Sequence, residues 1–161
     1  NDAKVPSIQQ DAQQNISAAT PNFKDGKTDL VNKKGKKAVK VKWTTTETNC
    51  YEAIFTPRSG YSLRKAYAGV HPDCKIPSGG AAFQSQGKPK KGSKKVTLTI
   101  CPNEISGLAD RCNKKVCLTF LANVKSGKKT DVAKPDKKKC KSGKGGSLAC
   151  STTLKCTYKA L

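Results

Sequence analysis

Ala38-Val39-Lys40-Val41-Lys42-Trp43 alternates apolar and basic side chains. A period of two predicts a half-buried strand, with Val39, Val41 and Trp43 facing inward and Lys40 and Lys42 on the wet face. Tyr51 to Thr56 predicts a second strand and Tyr61 to Tyr67 a third. Lys95-Val96-Thr97-Leu98-Thr99-Ile100-Cys101 repeats the alternation, with Val96, Leu98 and Ile100 on one face. Val116 to Leu121 and Leu148 to Tyr158 complete the set, rich in the Val, Ile, Thr and Tyr that suit a pleated surface.

The punctuation between these runs is Gly- and Lys-rich: Lys33-Lys34-Gly35-Lys36, Gly87 to Gly92, and a stretch from Lys125 to Gly146 that reads as a long turn region. Six or seven short strands so separated predict an all-β domain, a mainly antiparallel sandwich or barrel. Residues 1–23 differ in composition, being rich in Gln, Ala and Asn without cysteine. They read as an N-terminal tail or a short helix from Ile8 to Ile16 capped by Ser7, ahead of a cysteine-rich body over 24–161.

Only 35% of the 161 residues are apolar, a thin supply against the ~1–2 kcal/mol of backbone entropy lost per ordered residue. The eight cysteines, Cys50, Cys74, Cys101, Cys112, Cys117, Cys140, Cys150 and Cys156, are the expected supplement. An even, irregularly spaced set reads as a disulfide framework, each bridge contributing about 2–4 kcal/mol. Structural zinc is disfavoured, because no CxxC pair occurs and His71 is the single histidine. Cys150 and Cys156 fall on one strand, about 20 Å apart at ~3.3 Å per residue, so they need different partners. Cys50 with Cys74 is the expected local pair, since both bound the second and third strands.

Disulfides persist in oxidising compartments, so the reading is a secreted, extracellular protein. A start at Asn1 without methionine fits a processed product. The longest mainly apolar run, Val116 to Val124, is about half of the ~20 residues that a spanning helix requires. Asn15-Ile16-Ser17 is a candidate glycosylation site at Asn15.

Net charge is +21. Residues 1–23 carry Lys4 against Asp2 and Asp11, so the positive charge belongs to the body. Arginine is confined to Arg58, Arg64 and Arg111. Lysine is a hydrated point charge and arginine a planar fork, so this surface suits diffuse attraction to polyanions.

Catalytic patterns are thin. Acid–base work by two histidines is unsupported with His71 alone, and Gly69 to Cys74 reads as a turn that leaves His71 a loop side chain. Glu47 and Glu52, five apart, fall on opposite faces of a continuous strand. The Gly-x-Ser-x-Gly elbow and phosphate-loop motifs do not occur, and an even cysteine count leaves no spare thiol. No metal or cofactor is expected.

Binding is the stronger expectation. Lysines cluster at Lys33, Lys34, Lys36 and Lys37; at Lys88, Lys90, Lys91, Lys94 and Lys95; and at Lys137, Lys138, Lys139, Lys141 and Lys144. The last two clusters are the candidate polyanion-binding residues. The partner classes are anionic polysaccharide, anionic lipid or an acidic protein surface, with non-specific nucleic acid a further candidate. Base stacking has weak support: Trp43 and Phe120 sit in apolar patterns, leaving Tyr51, Tyr61 and Tyr67 as candidate exposed rings.

In size, charge and cysteine count, residues 24–161 resemble the small cysteine-rich proteins that fungi and other parasites release into hosts, and cationic defence proteins. The expectation is therefore a secreted, cationic, non-enzymatic binding protein, acting as a virulence effector or toxin on a host or competitor. The alternatives are a small secreted hydrolase of nucleic acid or polysaccharide, and an inhibitor that inserts the Lys88 to Lys91 loop into a secreted enzyme.

Overall fold

The computed structural model describes residues 19–138, 140 and 146–158. The expected helix at 8–16, Asn15, Lys139, Lys141 and Lys144 lie outside the described residues. The described residues form ten strands: β1 (Ala19–Phe23), β2 (Gly26–Val31), β3 (Lys37–Thr45), β4 (Tyr51–Pro57), β5 (Ser62–His71), β6 (Ser85–Gly87), β7 (Val96–Ile100), β8 (Lys115–Ser126), β9 (Lys129–Pro135) and β10 (Ala149–Tyr158). Short 3-10 turns at Gly79–Ala82, Pro102–Glu104, Leu108–Arg111 and Gly146–Leu148 join them. The all-β, antiparallel expectation is met.

The strands follow one hydrogen-bonded path, β1-β10-β8-β9-β2-β3-β4-β7, with β5 on the other side of β8 and β6 on β5. Every recorded pairing is antiparallel. The path curls until its far strands meet: a Cβ on Gly87 of β6 would stand 3.1 Å from Leu98 Cδ2 of β7. No ladder joins β6 and β7 among the described residues, so the body is a partly open barrel with β10 and β1 added along one end of β8.

Alternation fills the interior. Val39, Val41 and Trp43 of β3, Tyr51, Ala53 and Phe55 of β4, and Val96, Leu98 and Ile100 of β7 are buried. Leu118, Phe120, Ala122 and Val124 of β8 face them in the same cluster. Trp43 stacks on Phe120 with centroids 5.5 Å apart, and Phe55 meets the same ring at 6.2 Å. Hairpins close on glycines in the left-handed region at Gly35 (φ 80) and Gly127 (φ 61), where a Cβ would be strained.

Four bridges use all eight cysteines: Cys50–Cys101, Cys74–Cys117, Cys112–Cys156 and Cys140–Cys150. Cys150 and Cys156 do take different partners. The expected Cys50–Cys74 pair does not form. β4 and β7 pair antiparallel with Tyr51 opposite Ile100, so the next residues outward, Cys50 and Cys101, face each other with Cα atoms 4.2 Å apart. Cross-strand register chose the partner, and sequence proximity had no part in it.

Other expectations are corrected. Tyr51 is fully buried, because it shares the inward set of β4 with Ala53 and Phe55. His71 is the buried last residue of β5 and not a loop side chain. Part of the lysine-rich stretch from 125 to 146 is strand β9, held by β8 on one side and β2 on the other. Residues 19–23 of the N-terminal segment form β1 against β10.

Candidate binding furrow

The site begins with a sheet irregularity. Leu63 pairs with Val124 and Lys65 with Asn123, so two residues advance on β5 for one on β8, and Arg64 is the extra one. Such a bulge breaks strict alternation. Leu63 and Ala66 are buried while Arg64 is exposed and Lys65 half-buried, so two adjacent cations line the same cavity. Lys65 also holds its ammonium 5.2 Å from the Tyr67 ring centroid. The Tyr67 hydroxyl accepts from Asn123 Nδ2 at 3.4 Å, and Asn123 in turn pairs with Val132 of β9.

Arg64, Lys65 and Asn123 of this row border a cavity of about 720 Å³. Arg64, Lys65 and Lys88 line it, together with Lys33 from the β2–β3 turn and Asp131 from β9. Lys88 follows β6, whose Gly87 pairs with Ala66 of β5. A second cavity of about 540 Å³ is lined by Lys33, Val132, Lys134, Lys137 and Lys138, among others. Lys33 and Val132 line both. The two cavities therefore adjoin at Lys33 and Val132 and make a two-lobed furrow beside β9, whose span from Thr130 to Pro135 is about 17 Å at ~3.4 Å per residue.

Among the described residues seven cations line the furrow (Lys33, Arg64, Lys65, Lys88, Lys134, Lys137 and Lys138) against two carboxylates, Asp131 and Asp136. Both carboxylates bond their own chain. Asp131 Oδ1 accepts from the Val132 N–H at 2.7 Å, and Asp136 Oδ1 from the Lys138 N–H at 3.1 Å. The turn that presents Lys33 is fixed as well. Asn32 Oδ1 accepts from the N–H groups of Lys34 and Lys36, each at 2.9 Å, and its Nδ2 donates to the Tyr61 hydroxyl at 3.0 Å.

Of the sequence candidates, Lys88, Lys137 and Lys138 line the furrow. Lys90, Lys91, Lys94 and Lys95 are exposed on the β6–β7 connection, outside the lining of both lobes. Arg64, Lys65 and Lys134 were missed. A signal for the first two was present: consecutive cations in Leu63-Arg64-Lys65-Ala66 interrupt an alternating strand, and a bulge resolves that conflict.

His71 lines a separate cleft of about 510 Å³ with Asp73, Asp110 and Arg111. Its Nε2 lies 2.7 Å from the Ala82 carbonyl, which also accepts from the Thr119 hydroxyl at 2.7 Å. A ring held by main chain in this way ties β5 to the segment before β6. Among the described residues, no three His, Cys, Asp or Glu side chains converge to hold a metal ion. No helix among them is long and apolar enough to cross a membrane.

Compared with known proteins, the chain matches no family model, no curated sequence and no solved structure.

Proposed function

We propose that this chain is an exported cationic binding protein that holds a linear acidic polysaccharide, sulfated or uronic, along the β9 furrow. The observation that carries the reading is that, among the described residues, seven cations line two adjoining cavities along β9 with two internally bonded carboxylates. Six of the seven are lysines, which supply charge without the fork geometry that reads one shaped group. Asn123 and Thr130 add polar side chains suited to sugar hydroxyls. No aromatic ring is among the described lining residues, and single-stranded nucleic acid draws much of its affinity from base stacking. The furrow is concave, which suits a chain better than a lipid plane. Four disulfides support export to an oxidising space. There the target would be the surface or matrix polysaccharide of a host or competitor, in keeping with an effector or toxin.

The test is calorimetric titration of the whole protein with a sulfated glycan over a salt series. Log affinity should fall linearly with log salt, because bound lysines release counterions. The Arg64→Ala/Lys65→Ala/Lys88→Ala variant should lose about tenfold or more in affinity, roughly 1.4 kcal/mol, and show a shallower slope. Binding by that variant with unchanged affinity and slope would overturn the reading.

A further inference from the structure

A second cationic centre stands on the outer face of β2 and β3 and shares no lining residue with the furrow. The register puts Lys27 directly opposite Lys42 and Asp29 opposite Lys40. Like charges directly opposed across a ladder are destabilising. Arg58 and Lys37 reach the same place: an Arg58 Nη2 bonds Asp29 Oδ1, and Lys37 Nζ lies 3.6 Å from Asp29 Oδ2. Among the described residues these are the ion pairs, so Lys27, Lys40 and Lys42 form none there.

Lys27, Thr28, Asp29, Lys37, Lys40 and Arg58 line a cup of about 270 Å³. At ~30 Å³ per water, that is room for roughly nine waters. One hydrated tetrahedral oxyanion and the sugar ring next to it fit such a space. Among the described residues four cations line the cup against one carboxylate, and Asp29, which is 10% exposed at its side chain, sits beneath Arg58 and Lys37. Three of the four cations, Lys27, Lys37 and Lys40, stand on paired strands, so their spacing is set by the ladder.

We propose that this cup is a binding subsite for a single tetrahedral oxyanion ester, sulfate or phosphate, carried on a small sugar. Lys27 and Lys40 would supply the charge facing the oxyanion, and Arg58 and Lys37 would cover the buried carboxylate. The repulsion that such an anion would relieve is visible at Lys40. Its pKa is held below the usual lysine value, first by Lys42, then by partial desolvation, Lys27 and Arg58, with Asp29 opposing.

The experiment is amide and lysine side-chain NMR of the full chain at fixed ionic strength, titrated with glucose 6-sulfate, glucose 6-phosphate and, as control, glucose. Saturable shifts at Lys27, Lys40 and Thr28 are expected with one or both esters and none with glucose. Which ester saturates identifies the oxyanion. Lys40→Gln and, separately, Lys27→Gln should each weaken ester binding about tenfold, with a dispersed spectrum showing the fold intact. Lys94→Gln, at an exposed lysine outside both the cup and the furrow, should leave the ester affinity within about twofold, which separates a local site from diffuse charge. Shifts that never saturate, that spread equally over Lys94, Lys95 and the other exposed lysines, or that survive both substitutions would overturn the proposal.

Discussion

The indole of Trp43 lies against the Cα of Gly26, so closely that a Cβ there would overlap its ring. The two residues are directly opposite in the β2–β3 ladder. The indole N–H reaches on to donate to the Lys24 carbonyl at 3.0 Å, and the ring stacks on Phe120 inside the barrel. One side chain thus ties the first hairpin to the opposite wall of the core.

Gly26→Ala should therefore destabilise the protein by about 1–3 kcal/mol, the range for overpacking a close contact. Trp43 is the only tryptophan, so its fluorescence reports on this contact. A lower denaturation midpoint, with a shift in folded-state emission, is the expected outcome. An unchanged midpoint would show that the ring moves aside without loss.

Tyr51 is fully buried, and its hydroxyl has no hydrogen-bond partner among the described residues. Removing an unsatisfied buried hydroxyl relieves a desolvation penalty on the order of 1–3 kcal/mol. Tyr51→Phe should leave stability unchanged or raise it by about 1 kcal/mol. Guanidinium melts of the two proteins at neutral pH give the answer, and a clear loss of stability would show that the hydroxyl has a partner.

The same residue predicts an alkaline limit. Burial raises the Tyr51 pKa well above the ordinary value of 10.0. Above pH 10 the unfolded chain releases this proton while the folded protein keeps it, so the folded state binds more protons and stability falls as pH rises. Lys40 acts in the opposite sense below that window. Its folded pKa lies under 10.5, so between the two values the unfolded state binds more protons and stability rises with pH. Melts from pH 9 to 11 should show the fall in the natural protein. Tyr51→Phe should remove the Tyr51 part of it, and an identical alkaline slope in the variant would refute the assignment.

The bridges should differ in what they contribute. Cys50–Cys101 spans 51 residues and Cys140–Cys150 spans 10. Loop-closure entropy grows with the logarithm of loop length, which makes the longer bridge worth about 1.5 kcal/mol more. Paired Cys→Ala variants, compared by chemical denaturation, should rank in that order. A larger loss on removing Cys140–Cys150 would mean that this short bridge holds native contacts that loop entropy does not count.

Arg58 and Asp29 give a fifth test. Asp29 is buried, and Arg58 and Lys37 both contact its carboxylate. Arg58→Ala should cost about 2 kcal/mol by leaving a buried charge under-compensated, a moderate figure because the Arg58 side chain is itself 41% exposed. The Arg58→Ala/Asp29→Asn pair should recover part of that loss. A double variant as unstable as the sum of both singles would show that the two do not interact.

Alternation at Val39 to Trp43 and at Val96 to Ile100 was enough to read strand, inward face and the all-β class. A side-chain period of two is a local property that the chain carries wherever it folds. An even cysteine count likewise announced bridges. Which strands became neighbours was not local. Cys50 met Cys101 because β4 lies beside β7, and β9 became a strand because β8 and β2 offered it edges on both sides. The furrow depended on that assembly too: Lys33, Lys88 and Lys137 come from connections far apart in the chain, and only the curl of the barrel brings them onto one groove. Charge and period are written residue by residue, whereas register and curvature arise from the packing of all the strands together, and binding geometry follows from the latter.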